Sequence, residues 1–260
     1  MEFKNIKLDI NENKYALVTI CRENVCNALD EYTVSEINNA LDIISEDNTL
    51  RAVVLTGKGY KYFSAGADLK KLKKKTSLQI LESGLQSLCS RIERFKLPVI
   101  AAVNGYALGG GMEVVLSCDF RVSSENAVFG LPEVNLGVIP SAGGTQRLSY
   151  LIGTARAKQV ILLGDRIHAE EAKALGIVYE IAEKEELLLA AEKIVNKLIS
   201  KSPMAVYLAK SSINIASSAG NEFGMKYEKM CQAVLANHPD REEGIRAFYE
   251  KRPPEYKVFK

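Results

Sequence analysis

The chain alternates between short apolar runs and longer stretches whose apolar residues recur at helical spacing. Residues 15–20 read as a short apolar strand. Over residues 30–44, Val34, Ile37, Ala40, Leu41 and Ile44 fall three and four apart, on one helix face. Residues 51–56 (RAVVLT) form an uninterrupted apolar run stopped by Gly57 and Gly59, as in a strand buried on both faces. Residues 77–94 read as one helix, with Ile80, Leu81, Leu85, Leu88 and Ile92 on one side. A second buried strand at 98–103 (PVIAAV) leads into Asn104-Gly105.

The alternation continues with a short helix at 110–117, strands at 119–123 and 127–130, helices at 142–152, 155–163 and 169–174, and a strand at 177–181. Beyond residue 184 only the helical period remains, at 184–200, 204–217, 222–235 and 241–251, punctuated by Pro203, Gly220 and Pro239. The pattern predicts an α/β core over 1–200 and a helical C-terminal region over 201–260. Strand-strand-helix units recur within the core. Residues 1–11 are charged and lack the apolar centre of a signal peptide, and no apolar run reaches the roughly 20 residues of a membrane span, so a cytoplasmic location is expected.

Charge narrows the partners. With 34 basic against 32 acidic residues there is no broad basic face for nucleic acid. The local exception is Lys70, Lys71, Lys73, Lys74 and Lys75, which reads either as an anion contact or as a solvated helix face. Five cysteines without a CxxC pair argue against a disulfide scaffold and a structural zinc site, and Cys118 reads as a small buried side chain. Only two histidines occur, His168 and His238, so acid/base work falls to carboxylates and backbone amides, and no metal is expected.

Three glycine-rich spots are candidates for that work. In Phe63-Ser64-Ala65-Gly66-Ala67-Asp68, small residues after a strand let backbone approach a ligand, or simply allow a tight turn. In Gly109-Gly110-Gly111-Met112-Glu113, amides open a helix where an oxyanion or phosphate would be held; no GK[ST] follows, so this is not a nucleotide P-loop. Glu113 there is either a helix-dipole partner or a functional carboxylate. The third spot, Gly130-Leu131-Pro132-Glu133 followed by Pro140-Ser141-Ala142-Gly143-Gly144, places Glu133 among apolar residues, as a cap or as an acid with a raised pKa. Two amide sources and two glutamates together suit chemistry on an activated carbonyl, where charge develops on oxygen and protons move at carbon.

At these residues the sequence resembles the enoyl-CoA hydratase/isomerase (crotonase) family. Three blocks carry the resemblance: FSAGADLKKL from Phe63, PVIAAVNGYALGGGMEVVLSCDF from Pro98, and FGLPEVNLGVIPSAGGTQRL from Phe129. It implies a spiral of strand-strand-helix turns with a helical C-terminal region used in trimer formation, in a homotrimer or dimer of trimers. It implies an acyl-CoA thioester substrate and no separate cofactor, coenzyme A being part of the substrate. By resemblance the oxyanion hole uses the N–H groups of Ala67 and Gly110. Glu133 moves the proton at C2, and Glu113, with Glu133, holds and activates water for C3. Ala65, Gly66, Asp68, Leu69 and Lys70 would line the CoA site, Ser141 would border the catalytic water, and Lys251 would reach the CoA phosphates from a neighbouring subunit.

The expected reaction is hydration of a short-chain trans-2-enoyl-CoA such as crotonyl-CoA. Two departures stand out: Ser141 replaces the glycine usual after Pro140, and Cys21-Arg22-Glu23 replaces an Asn-Arg-Pro-like turn. The competing readings are an enoyl-CoA isomerase or a branched-chain, methylglutaconyl-type hydratase on the same scaffold, an RNA-binding relative using the lysine run, and an inactive structural subunit.

Overall fold

A computed structural model describes residues 3–68, 76–216 and 220–256. Two sheets of unequal length organise the chain. The larger contains β1 (Ile6–Asn11), β2 (Tyr15–Ile20), β3 (Ala52–Gly57), β5 (Val99–Val103), β7 (Phe120–Ser124) and β10 (Glu180–Ala182), in the spatial order β1-β2-β3-β5-β7-β10. Only the β1–β2 pair is antiparallel. The smaller contains β4 (Tyr62–Ser64), β6 (Tyr106–Leu108), β8 (Val128–Gly130) and β9 (Arg166–His168), with β9 antiparallel to β8 and the others parallel.

The central strands are buried along their whole length, because both faces of the large sheet are covered. Side chains alternate between two cores, as the two-residue strand period requires. Val53, Leu55, Val99, Ala101 and Val103 pack with α1 (Glu31–Glu46), α3 (Gly84–Arg94) and α4 (Gly110–Ser117). Ala52, Val54, Ile100, Ala102 and Val122 face the opposite way, onto Leu187, Ala190, Ala191, Ile194 and Val195 of α8 (Leu187–Ile199). Each turn of chain adds one rung to each sheet and then crosses back by helix: β3 and β4, then α2 (Ser77–Leu81) and α3; β5 and β6, then α4; β7 and β8, then α5 (Gly144–Ile152) and α6 (Thr154–Leu162). This is the expected α/β spiral of strand-strand-helix units.

Several boundaries differ from the sequence pattern. The helix expected over 77–94 is two helices. A capping box of Thr76 and Gln79 opens the first, and Ser83, with extended backbone (φ −57°, ψ 116°), separates it from the second at Gly84. The strand expected at 177–181 begins only at Glu180. The amides of Ile177 and Val178 donate instead to Ala172 O, closing α7 (Ala169–Ala174). The stretch from 184 starts as a 3-10 turn, Lys184–Glu186, before α8. β1 is an edge strand in which Ile6, Leu8 and Ile10 alternate with polar residues, a period-two signal among the charges of 1–11. The three-residue strands β4, β6 and β9 are too short to leave a period at all.

After α8 come α9 (Pro203–Ile215), α10 (Asn221–Ala236) and α11 (Pro239–Tyr249). A buried ion pair ties α9 to the core: Lys210 Nζ donates to Asp119 Oδ2 (2.6 Å) and to Leu97 O (3.2 Å), while Val99 N donates to the same carboxylate oxygen (2.7 Å). No helix among the described residues is long and apolar enough to cross a membrane.

Candidate active site

The small sheet delivers the first two glycine-rich segments to one place. β4 leads into Ala65-Gly66-Ala67, which is pinned from the side by the turn before α1. Ala65 N donates to Cys26 O (3.0 Å), Leu29 N donates to Gly66 O (2.8 Å), and Leu29 bridges Ala67. That turn is held in shape by Asn27, a fully buried side chain whose Nδ2 donates to Tyr62 O at 2.7 Å. β6, paired to β4 and β8, leads into Gly109 and the start of α4.

The two segments touch backbone to backbone. A Cβ on Gly66 (φ 91°) would lie 2.7 Å from Leu108 O and 2.9 Å from Gly110 N, so no side chain fits between them. Ala67 N lies on the other side, 3.6 Å from where a Cβ on Gly110 would stand, at van der Waals contact. Gly110 is the first residue of α4, so its N–H has no intrahelical acceptor. No acceptor pairs with the N–H of Ala67 or Gly110 among the described residues. Two such neighbouring donors suit a developing negative charge on oxygen.

Glu113, one turn into α4, is buried. Its Oε1 accepts from Ala142 N (2.6 Å) and Gly144 N (2.8 Å), in the loop that opens α5. Burial raises the Glu113 pKa, while the Gly144 and Ala142 amides and the Arg147 guanidinium oppose the shift. Glu133 lies in the 3-10 turn Pro132–Leu136 that follows β8. Its Oε1 faces Gly109, 3.1 Å from where a Cβ there would stand. Its Oε2 is buried and has no hydrogen-bond partner among the described residues. Burial pushes the Glu133 carboxyl up to about 7, with the Glu113 charge adding to the rise and its own backbone N–H opposing it. Two carboxyl groups in one place thus sit in unequal surroundings, one gripped by donors and one with an unsatisfied oxygen.

The structure therefore gathers Ala67, Gly110, Glu113 and Glu133. Ala65 and Gly66 belong to the same turn, and Asp68 follows, half-buried. Leu69, Lys70 and the remaining lysines of the run lie outside the described residues. Ser141 is exposed between buried Pro140 and Ala142. Lys251, exposed and with φ 54°, follows α11, and this single chain does not group it with the others. His168 is in β9 and His238 caps α11. Cys118 is buried, its Sγ donating to Val114 O at 3.3 Å. The sequence pattern did not single out Arg147 or the Ala142 and Gly144 amides, which surround Glu113, or Glu93, which pairs with Arg147. Arg147 and the two amides lie within the PSAGGTQRL stretch, but nothing in their spacing marks Glu93 as a partner.

The profile of the enoyl-CoA hydratase/isomerase family matches residues 11–258. The chain belongs to that family. Among similar relatives, the short-chain-enoyl-CoA hydratase of Clostridium acetobutylicum is 41% identical over 254 residues, covering 97% of each chain. The crotonyl-CoA hydratase of Syntrophomonas wolfei is 39% identical over 254 residues, again covering 97% of each. The solved enoyl-CoA hydratase structure from Bacillus anthracis superposes with a TM-score of 0.93 at 41% identity, over 98% of this chain and 99% of that one. The two glutamates and the paired amides thus lie in a fold shared with enoyl-CoA hydratases.

Proposed function

We propose that this chain catalyses the reversible addition of water to a trans-2-enoyl-CoA, giving the 3-hydroxyacyl-CoA, with a short-chain substrate such as crotonyl-CoA. The observation that carries the reading is the unequal carboxyl pair: Glu133, with a buried unpartnered oxygen and a pKa near 7, beside Glu113, held by two amides. The names of the relatives support the same chemistry and the same chain length.

In this reading the thioester oxygen accepts from the N–H groups of Ala67 and Gly110, which stabilise the enolate-like charge. Glu113, ionised, takes a proton from water as the water oxygen bonds to C3. Glu133, protonated, gives its proton to C2. One O–H bond of water and the C2–C3 π bond break; a C3–O and a C2–H bond form. The proton lost by Glu133 is matched by the one gained by Glu113, and exchange between them resets the pair. Coenzyme A enters as part of the substrate, along Ala65, Gly66, Asp68, Leu69 and Lys70, with Ser141 at the border of the water site.

The C-terminal helices expose Ile213, Phe223, Met230, Val234, Phe248 and Tyr249. We assign this apolar surface to contact with further copies in a trimer or dimer of trimers, which would also bring a neighbour's Lys251 to the CoA phosphates.

The test is the loss of enoyl-thioester absorbance with crotonyl-CoA, for the parent and for Glu113→Gln and Glu133→Gln. Rapid loss with the parent and a fall of about 10²–10⁴ in kcat for each variant are expected. An inert parent would exclude short-chain hydration, and an active Glu133→Gln would exclude the proton assignment.

A further inference from the structure

Arg147 acts on Glu113 through charge and is hydrogen-bonded to the loop whose amides hold Glu113. It lies in the first turns of α5. Its Nη2 and Nε donate to the two carboxylate oxygens of Glu93 on α3 (2.9 and 3.2 Å), a forked pair. Its Nη1 donates to Ala142 O at 2.9 Å. Ala142 is the residue whose N–H grips Glu113 Oε1, and Gly144, the other donor, starts the helix that carries Arg147. Gly143 between them has φ 104°, and a Cβ there would stand 1.9 Å from Arg147 Nη1. The guanidinium therefore fills the space over the loop and anchors the 142–143 peptide, which lies between the two amides.

We propose that Arg147, braced by Glu93, is a positioning residue for hydration: it fixes the 142–144 loop so that two amides hold Glu113 Oε1 in the direction from which the carboxylate accepts the proton of water. This rests on the reading of Glu113 as the water-activating carboxylate. Arg147 touches neither Glu133 nor the amides of Ala67 and Gly110, so its effect is confined to one side of the site. Among the described residues, the titratable groups facing Glu113 are Glu133, Arg147, with Glu93 behind it, and the Cys89 thiol of α3. Burial pushes Cys89 up to about 12, so it stays neutral while the other three act on Glu113 as charges or as a proton donor.

The experiment measures kcat, KM and the pH profile of kcat/KM with crotonyl-CoA, together with Tm, for Arg147→Met, Arg147→Lys, Glu93→Gln and Glu113→Gln. Arg147→Met is expected to lower kcat on the order of 10²-fold with little change in KM, because the misdirected carboxylate costs rate rather than binding. Its acid limb should move to higher pH, since Glu113 loses a neighbouring cation. Arg147→Lys should return the limb toward the parent while leaving kcat reduced, because an ammonium supplies the charge without the fork. Glu93→Gln should move the limb the opposite way, as the cation is then less neutralised. A merely structural role would lower Tm in these variants and leave the limb and the kcat of the folded protein unchanged, which would overturn the proposal. If Arg147→Met does not fold, unchanged limbs in both Arg147→Lys and Glu93→Gln have the same force. Parent-like activity in Glu113→Gln removes the reading of Glu113 and this inference with it. A crippled Glu113→Gln beside parent-like Arg147 and Glu93 variants removes this inference alone.

Discussion

Glu113 and Glu133 are the same residue type, yet they are supported in opposite ways. Glu113 comes from a helix, has amide donors on one oxygen and has a guanidinium behind the loop that supplies them. Glu133 comes from a short 3-10 turn, faces a glycine and keeps one buried oxygen without a donor. Donors and a nearby cation favour the charged form, whereas burial without a donor favours the neutral one. The fold thus gives two identical side chains unequal surroundings, the difference on which the proposed acid and base roles rest.

The largest effect that would break this contrast comes from removing both carboxylates. Glu113→Gln/Glu133→Gln should lose about 10³–10⁴ in kcat, but no more than roughly tenfold beyond the worse single variant, because the two act as one unit. A multiplicative loss in the steady-state rate would mean that they contribute independently to the rate-limiting step. Next is Gly144→Ala, whose Cβ would stand 3.0 Å from Glu113 Oε1 and 2.9 Å from Pro140 Cβ. Displacing the grip on Glu113 should cost on the order of 10–100-fold in kcat, with Glu133 still protonated at the same pH.

The pH profile sharpens the contrast with a smaller change. On the proposed assignment Glu133 acts while carrying its proton, so kcat/KM should fall as pH rises past about 7, the value to which burial pushes it. A profile that instead rises through that pH would reverse the two roles. The smallest effect is on stability. Glu133's folded pKa of about 7 lies above its ordinary 4.5, so the folded state holds a proton that the unfolded state has lost, and stability falls as pH rises through that window. Glu133→Gln should remove this penalty. Above neutral pH it should gain about 1 kcal/mol, or about 2–4 °C in Tm, and below the ordinary carboxylate range it should gain nothing, as thermal scans at the two extremes would show.

What could be read from the chain follows the same physics. β3 and β5 are buried on both faces, so their apolar runs are continuous and both were visible, as was α4 to its ends. The rungs β4, β6 and β9 have three residues each, too few for any period, and they are nevertheless the elements that aim or flank the site. Glu113 and Glu133 stood out because glycines and apolar residues surround them in sequence. Arg147 and Glu93 did not, since their meaning lies in a contact between residues 54 apart. The contact of Gly66 with Gly110 was equally hidden, although each glycine taken alone marked a place where backbone comes close.

The short rungs also bear on how this chain can vary in length. β4, β6 and β8 pair in parallel, and Tyr106–Leu108 ends one residue before Gly109. Deleting one residue from that rung would draw Gly110 back by about 3.3 Å and turn its neighbours to the opposite face. The N–H of Gly110 would then leave Ala67 without a partner donor, however well the rest of the spiral folded. Insertions and deletions should therefore accumulate in homologous chains at the outer helices and connecting loops. The three-residue rungs should keep their length even where every side chain in them has been exchanged.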